Sequence, residues 1–314
     1  MAILIDPVPV EPGDRGSSRQ LSLPRLLWTG LFCLSLGVLE LYFRVEPPGI
    51  ALFLALAAIA AISSVAAHEI GHAIGGMAAG FRIIMIAIWP VRLWREGDSW
   101  RFGWLRRKAL AGFVVPCPVG AHNLVTRMFV GVAAGPCASA LAGIVAGVLA
   151  AHASHGWPRW LAHELNLIAI FSILIAATDL LPARYRNVTG DGMRLRMLLR
   201  GGAEAERYCA VSLLGASSAG GVLPREWDPS LVRLAAGPAD GSPDAHAGRA
   251  QAYNWAMDVG EIEEAELALA EALAQEWPDE ERAIWYLEAA CFQARIRGDL
   301  PAARRWLQQA PASS

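Results

Sequence analysis

The sharpest chemical signal in the chain is five consecutive residues, His68-Glu69-Ile70-Gly71-His72. On a helix the two histidines stand at i and i+4, one turn apart on one face, so both imidazoles can reach a single divalent ion. The carboxylate beside them, Glu69, is of the right type to take a proton from a metal-activated water and pass it to a leaving amine. The pattern predicts one Zn2+ with His68 and His72 as ligands and Glu69 as the catalytic base. A hydrolytic zinc site also needs a third protein ligand and an open coordination position.

The elements that position these groups belong to a membrane protein. Of 314 residues, 54% are hydrophobic and only 18% charged, with a mean hydropathy of +0.35, which excludes disordered and collagen-like chains. A formal net charge of −2 leaves no global positive field for nucleic acid, so nucleic acid is not an expected partner. The five cysteines are scattered and form no CxxC pair, so they read as packing residues rather than as disulfide or thiolate-metal sites.

Four stretches, about 26–43, 49–80, 128–151 and 160–181, are long and apolar enough to cross a bilayer. The motif lies in the second. Two histidines and a glutamate inside such a segment carry a desolvation cost of several kcal/mol unless paired or metal-bound, which makes function their default reading.

Arg82, Arg92, Arg95, Arg101, Arg106, Arg107, Lys108 and Arg127 collect in the connection between the second and third spans, placing it and both termini in the cytoplasm. Within it, the runs 83–94 and 100–105 flank Glu96-Gly97-Asp98-Ser99 and read as a cytoplasmic or interfacial β-hairpin, with Pro90 marking an edge strand. The apolar stretch 109–124, broken by Pro116, Pro118 and Gly120, dips into the interface or packs on the bundle. The fold class is thus an all-α polytopic membrane protein with a small hairpin and a soluble helical C-terminal domain. Its parts are a cytoplasmic segment 1–25, a membrane core 26–200, a Gly/Ala/Ser/Pro-rich linker 201–247 and a helical domain 248–314. In that last domain Ala265 and Ala303 each follow a turn glycine, Gly260 or Gly298, by five residues, resembling tetratricopeptide-type helix pairs.

The third ligand must come from the depth of the motif. His163 and Glu164 open the fourth span at its external end, and His152 and His155 lie at that end too, so Asp179 and Asp191 remain.

His68 to His72 in a hydrophobic helix, Ala134-Gly135-Pro136 in the third span, and Asp179-Leu-Leu-Pro182 followed by Asp191-Gly192 together resemble the site-2 protease family of intramembrane zinc metalloproteases. The resemblance covers about residues 49–200. It implies that Asp191 is the third zinc ligand. It also implies that Asp179 and Ser139, which stand where the family often has asparagine, lie near the substrate. A continued helix would carry Asp191 about 18 Å beyond Asp179, so the chain must fold back after Pro182. If it does not, Asp179 is the third ligand.

The implied activity is zinc-dependent endoproteolysis of a transmembrane segment of a single-span membrane protein. The alternative is a catalytically inactive scaffold that keeps the core and binds a cytoplasmic partner through its C-terminal helices. Arginine outnumbers lysine so heavily, with Lys108 the sole lysine, that a GC-rich bacterial genome and a bacterial inner membrane are the expected setting.

Overall fold

The computed structural model describes residues 49–105, 111–153, 156–182, 184–185, 188–238, 240, 242–275, 277 and 279–310. The first expected span, 26–43, and the segment before it lie outside the described residues. Three helices among those described are long and apolar enough to cross a membrane: α1 (Ile50–Ala78), α2 (Leu124–His152) and α3 (Arg159–Asp179). They match the expected second, third and fourth spans to within a few residues. Each is apolar around most of its circumference, as a helix must be when its outer side meets lipid rather than water. Ile59, Ile62, Ile70, Ile74 and Met77 of α1 point outward, while Leu56, Ala60, Ser64, His68 and Glu69 are buried.

Small residues let α1 and α2 approach closely. A side chain at Gly135 of α2 would collide with the His72 ring, so this position needs glycine if the histidine is to sit between the helices. The α1–α3 contact carries a buried polar chain in which the Ser172 hydroxyl donates to Ser64 Oγ at 3.0 Å and Ser64 donates to the Ile168 carbonyl at 3.4 Å.

Between α1 and α2 lies a four-stranded antiparallel sheet, order β3-β2-β1-β4, from β1 (Phe81–Ile88), β2 (Val91–Glu96), β3 (Ser99–Trp104) and β4 (Gly112–Pro118). This is larger than the expected hairpin. The run 83–94 is two strands rather than one, because the chain reverses at Trp89-Pro90 and Pro90 sits in the turn. The stretch after 109 supplies β4, which pairs with β1 despite its two prolines.

The sheet runs back along α1. Ile83 meets Gly76, whereas Gly112 at the far end of the β1–β4 pair meets Val65 and Glu69, roughly 10–16 Å nearer the helix's start. The charged end, where Arg82 contacts Asp98 and Arg101 contacts Glu96, lies opposite to that deep end. Arg127 ties the assembly together. Its guanidinium donates to the carbonyls of Ala79 and Gly80 at the end of α1, at 2.6 and 3.1 Å, and to Val119 and Gly120 after β4, at 3.0 and 3.1 Å.

After α3 the chain turns at Leu180 and Leu181, passes Pro182, forms a two-residue ladder between β5 (Arg184–Tyr185) and β6 (Val188–Thr189), and enters α4 (Asp191–Arg200). The expected linker holds α5 (Ala203–Ala219) and α6 (Pro229–Ala236), since its alanines favour helix as readily as loop. The helices α7 (Pro243–Val259), α8 (Ile262–Leu273), α9 (Asp279–Phe292) and α10 (Leu300–Gln309) follow. Gly260 and Gly298 take left-handed backbone at the two helix turns, with φ of 86° and 69°. Tyr253, Leu269, Trp285, Phe292 and Trp306 form the core of this last region. A separate apolar cluster joins Phe81, Met128 and Val132 of the membrane-level part to Leu195, Tyr208 and Leu213 of α4 and α5.

Candidate metal centre

The site assembles from three elements. α1 presents His68 and His72 one turn apart, α2 lies against their backs, and the start of α4 brings a carboxylate to their front. The return after Pro182 takes place, so Asp191 reaches the histidines rather than projecting beyond them. Gly192 makes the approach possible, because a Cβ there would strike the Leu180 carbonyl.

His72 Nε2 lies 3.0 Å from His68 Nε2 and 2.9 Å from Asp191 Oδ2, and His68 Nε2 lies 3.4 Å from the same oxygen. The outer nitrogens are held from behind. His72 Nδ1 donates to the Gly131 carbonyl at 2.9 Å, and His68 Nδ1 is 3.0 Å from Ser139 Oγ. A carbonyl only accepts, so the Nδ1 proton of His72 is committed there and its Nε2 lone pair faces the cluster. Ser139 is fully buried and touches a histidine, so it orients a candidate ligand.

Two imidazole nitrogens and a carboxylate oxygen thus converge on a common point. Three such donors repel one another unless a cation or a proton sits among them. Zinc bonds of about 2.0–2.2 Å put the donor atoms of a tetrahedral site roughly 3.3–3.6 Å apart, close to the spacings here. His68, His72 and Asp191 therefore fit a metal in number, type and distance.

A cavity of about 770 Å3 opens on the cluster. Glu69 lines it, buried on α1 next to His68, with its Cγ and Oε1 against Gly112 of β4. A Cβ at Gly112 would come within 2.7 Å of the Glu69 side chain, so this strand position is cut to fit the carboxylate. Ala111, Phe113 and Val114 line the same wall, and among the described residues β4 is an edge strand, paired with β1. Asp179, the last residue of α3, also borders the cavity, its Oδ2 3.5 Å from His68 Nε2.

His68, Glu69, His72, Asp191, Asp179 and Ser139 are therefore all brought to one place. Glu164 stays apart, buried near the start of α3, 15 residues and roughly 22 Å of helix before Asp179. Sequence reasoning missed Gly112, the Gly131 carbonyl, and the far wall of Arg194, Tyr208 and Pro243. Arg194 stacks over the Tyr208 ring at 5.4 Å, so α5 and the start of α7 wall the cavity directly. Arg194 had a readable signal, since it stands three residues after Asp191 on the same face of α4. The others depend on long-range packing.

No protein-family model, curated protein or solved structure matches the chain.

Proposed function

We propose that the chain is an intramembrane zinc endopeptidase of the site-2 protease kind that cleaves transmembrane segments of single-span membrane proteins. The observation that carries this reading is the convergence of His68, His72 and Asp191 at 2.9–3.4 Å with Glu69 on the wall of the same cavity, at the level of helices able to span a bilayer. His68, His72 and Asp191 hold one Zn2+, which supplies Lewis-acid activation of a water and of the scissile carbonyl when bound. Glu69 takes the proton of the attacking water and carries it to the leaving nitrogen. Ser139 and the Gly131 carbonyl keep both imidazoles turned toward the metal position.

A transmembrane helix hides its peptide bonds in its own hydrogen bonds and must unwind before it can be cut. The edge of β4 that faces the cavity offers an unwound segment replacement backbone partners, so the substrate lies there extended, one strand away from Glu69. The helix pairs α7–α8 and α9–α10, tetratricopeptide-like in their turns, serve as the docking module for a cytoplasmic protein partner. The setting is a bacterial inner membrane with four spans and both termini in the cytoplasm.

The test is a comparison of cells carrying the wild type with cells carrying Glu69→Gln, by labelling of new protein N-termini and mass spectrometry. New termini inside transmembrane segments are expected with the wild type and absent with Glu69→Gln. The same termini in both, or none in either, would remove the protease reading and leave the scaffold.

A further inference from the structure

Asp191 fills the third ligand position, which leaves Asp179 without the role that a failed return of the chain would have given it. Its carboxylate lies beside the three-donor cluster of His68, His72 and Asp191 rather than in it. The Asp179 oxygen lies 3.5 Å from His68 Nε2, the same atom that has Asp191 at 3.4 Å and His72 at 3.0 Å. In a tetrahedral zinc shell the donor atoms stand roughly 3.3–3.6 Å apart. Asp179 is thus at ligand-to-ligand distance from one member of the triad and borders the cavity beside it.

The two carboxylates differ in how they are held. The Asp191 side chain is 14% exposed and opens a helix anchored by the Gly192 contact, whereas the Asp179 side chain is 39% exposed on the last residue of α3. One is fixed; the other is free to swing about its side-chain bonds.

We propose that Asp179 is a detachable fourth ligand, closing a two-histidine, two-aspartate shell in the resting state and moving off to open the position that hydrolysis requires. The proposal rests on the reading of His68, His72 and Asp191 as the metal triad. An asparagine could not act in the same way, because its neutral amide is a far weaker donor to zinc than a carboxylate. With two carboxylates the closed shell balances the dipositive ion, so it binds the metal more tightly and admits no further anion. With one, the shell keeps a positive charge and an open position.

Cobalt(II) tests this without any substrate. Wild type, Asp179→Asn and Asp191→Asn, each purified at full length in detergent, are loaded with Co2+. The metal dissociation constant is read by chelator competition, and the visible absorption is followed during titration with azide. The wild type is expected to bind one Co2+ with a spectrum that azide leaves unchanged. Asp179→Asn should keep one Co2+, bind it at least about tenfold more weakly, the loss expected even for removing a partner behind a ligand, and change colour with azide. Equal affinity and equal azide response in the wild type and Asp179→Asn, with binding lost in Asp191→Asn, would overturn the fourth ligand and leave the triad standing. No Co2+ in the wild type, or full binding in Asp191→Asn, would overturn the triad and the proposal with it. Thermal unfolding of the metal-free proteins separates a folding defect from a binding one.

Discussion

Two regions of the molecule bury polar groups in opposite ways. Among the C-terminal helices, opposite charges and complementary donors meet. Arg297 pairs with Glu266, which is fully buried, Arg207 pairs with Asp240, and the Tyr253 hydroxyl donates to Glu288 at 2.8 Å. At the centre of the membrane-level helices, two imidazole nitrogens and a carboxylate face one another at 2.9–3.4 Å, with Glu69 and Asp179 nearby. In the first arrangement each of these acids has a donor supplied by the fold itself. The second is complete only with a cation or a proton between its members. The comparison teaches that the informative buried polar group is the one whose neighbours are of the same kind.

If the distinction is correct, cutting a pair in the C-terminal region costs stability and spares the metal. Arg297→Ala would take a counter-charge from the buried Glu266 carboxylate, a loss of up to about 3–5 kcal/mol. Denaturant unfolding should show it, with metal content unchanged. A metal-binding defect in this variant would break the comparison.

The converse change acts on the metal and spares the fold. Ser139→Ala removes the group behind His68 Nδ1 and should weaken metal binding about 10–100-fold, read by chelator competition, with little change in unfolding temperature. Wild-type affinity in this variant would mean that the Ser139 contact does not orient the ligand.

The smallest effect concerns pH. Burial acts to raise the Asp240 carboxyl, but hydrogen bonds from Ser242 and the Arg207 guanidinium prevail and lower it. A carboxyl lowered on folding stabilises the native state above its unfolded pKa, and that contribution is lost as pH falls through the folded value. Wild-type stability should therefore fall on acidification below about pH 4, the ordinary aspartate range, and Asp240→Asn should flatten that fall slightly. Identical acid profiles for the two proteins would show that the pair carries no linked stability.

Much of the membrane-level part was legible because its physics is local. Spans 49–80, 128–151 and 160–181 follow from apolar length, and they correspond to α1, α2 and α3. The pairing of His68 with His72 follows from helical spacing alone. The sheet was only half legible. Local alternation marked the two runs around Glu96, but the partnership of β4 with β1 joins residues about 30 apart through a turn at Pro90, and no short window contains it. The arrival of Asp191 depended on the return after Pro182, for which the prolines and glycines gave a permissive sign and no direction. The wall made by Tyr208 and Pro243 lay in a stretch read as a linker, since alanine-rich composition distinguishes poorly between helix and loop until packing decides.

The most direct test of the central claim is the zinc content of the purified protein for the wild type, Glu69→Gln and Asp191→Ala. The expected result is one zinc per chain in the wild type and in Glu69→Gln, and none in Asp191→Ala. A wild type without zinc, or an Asp191→Ala protein that keeps it, would contradict the assignment of His68, His72 and Asp191 as a metal centre.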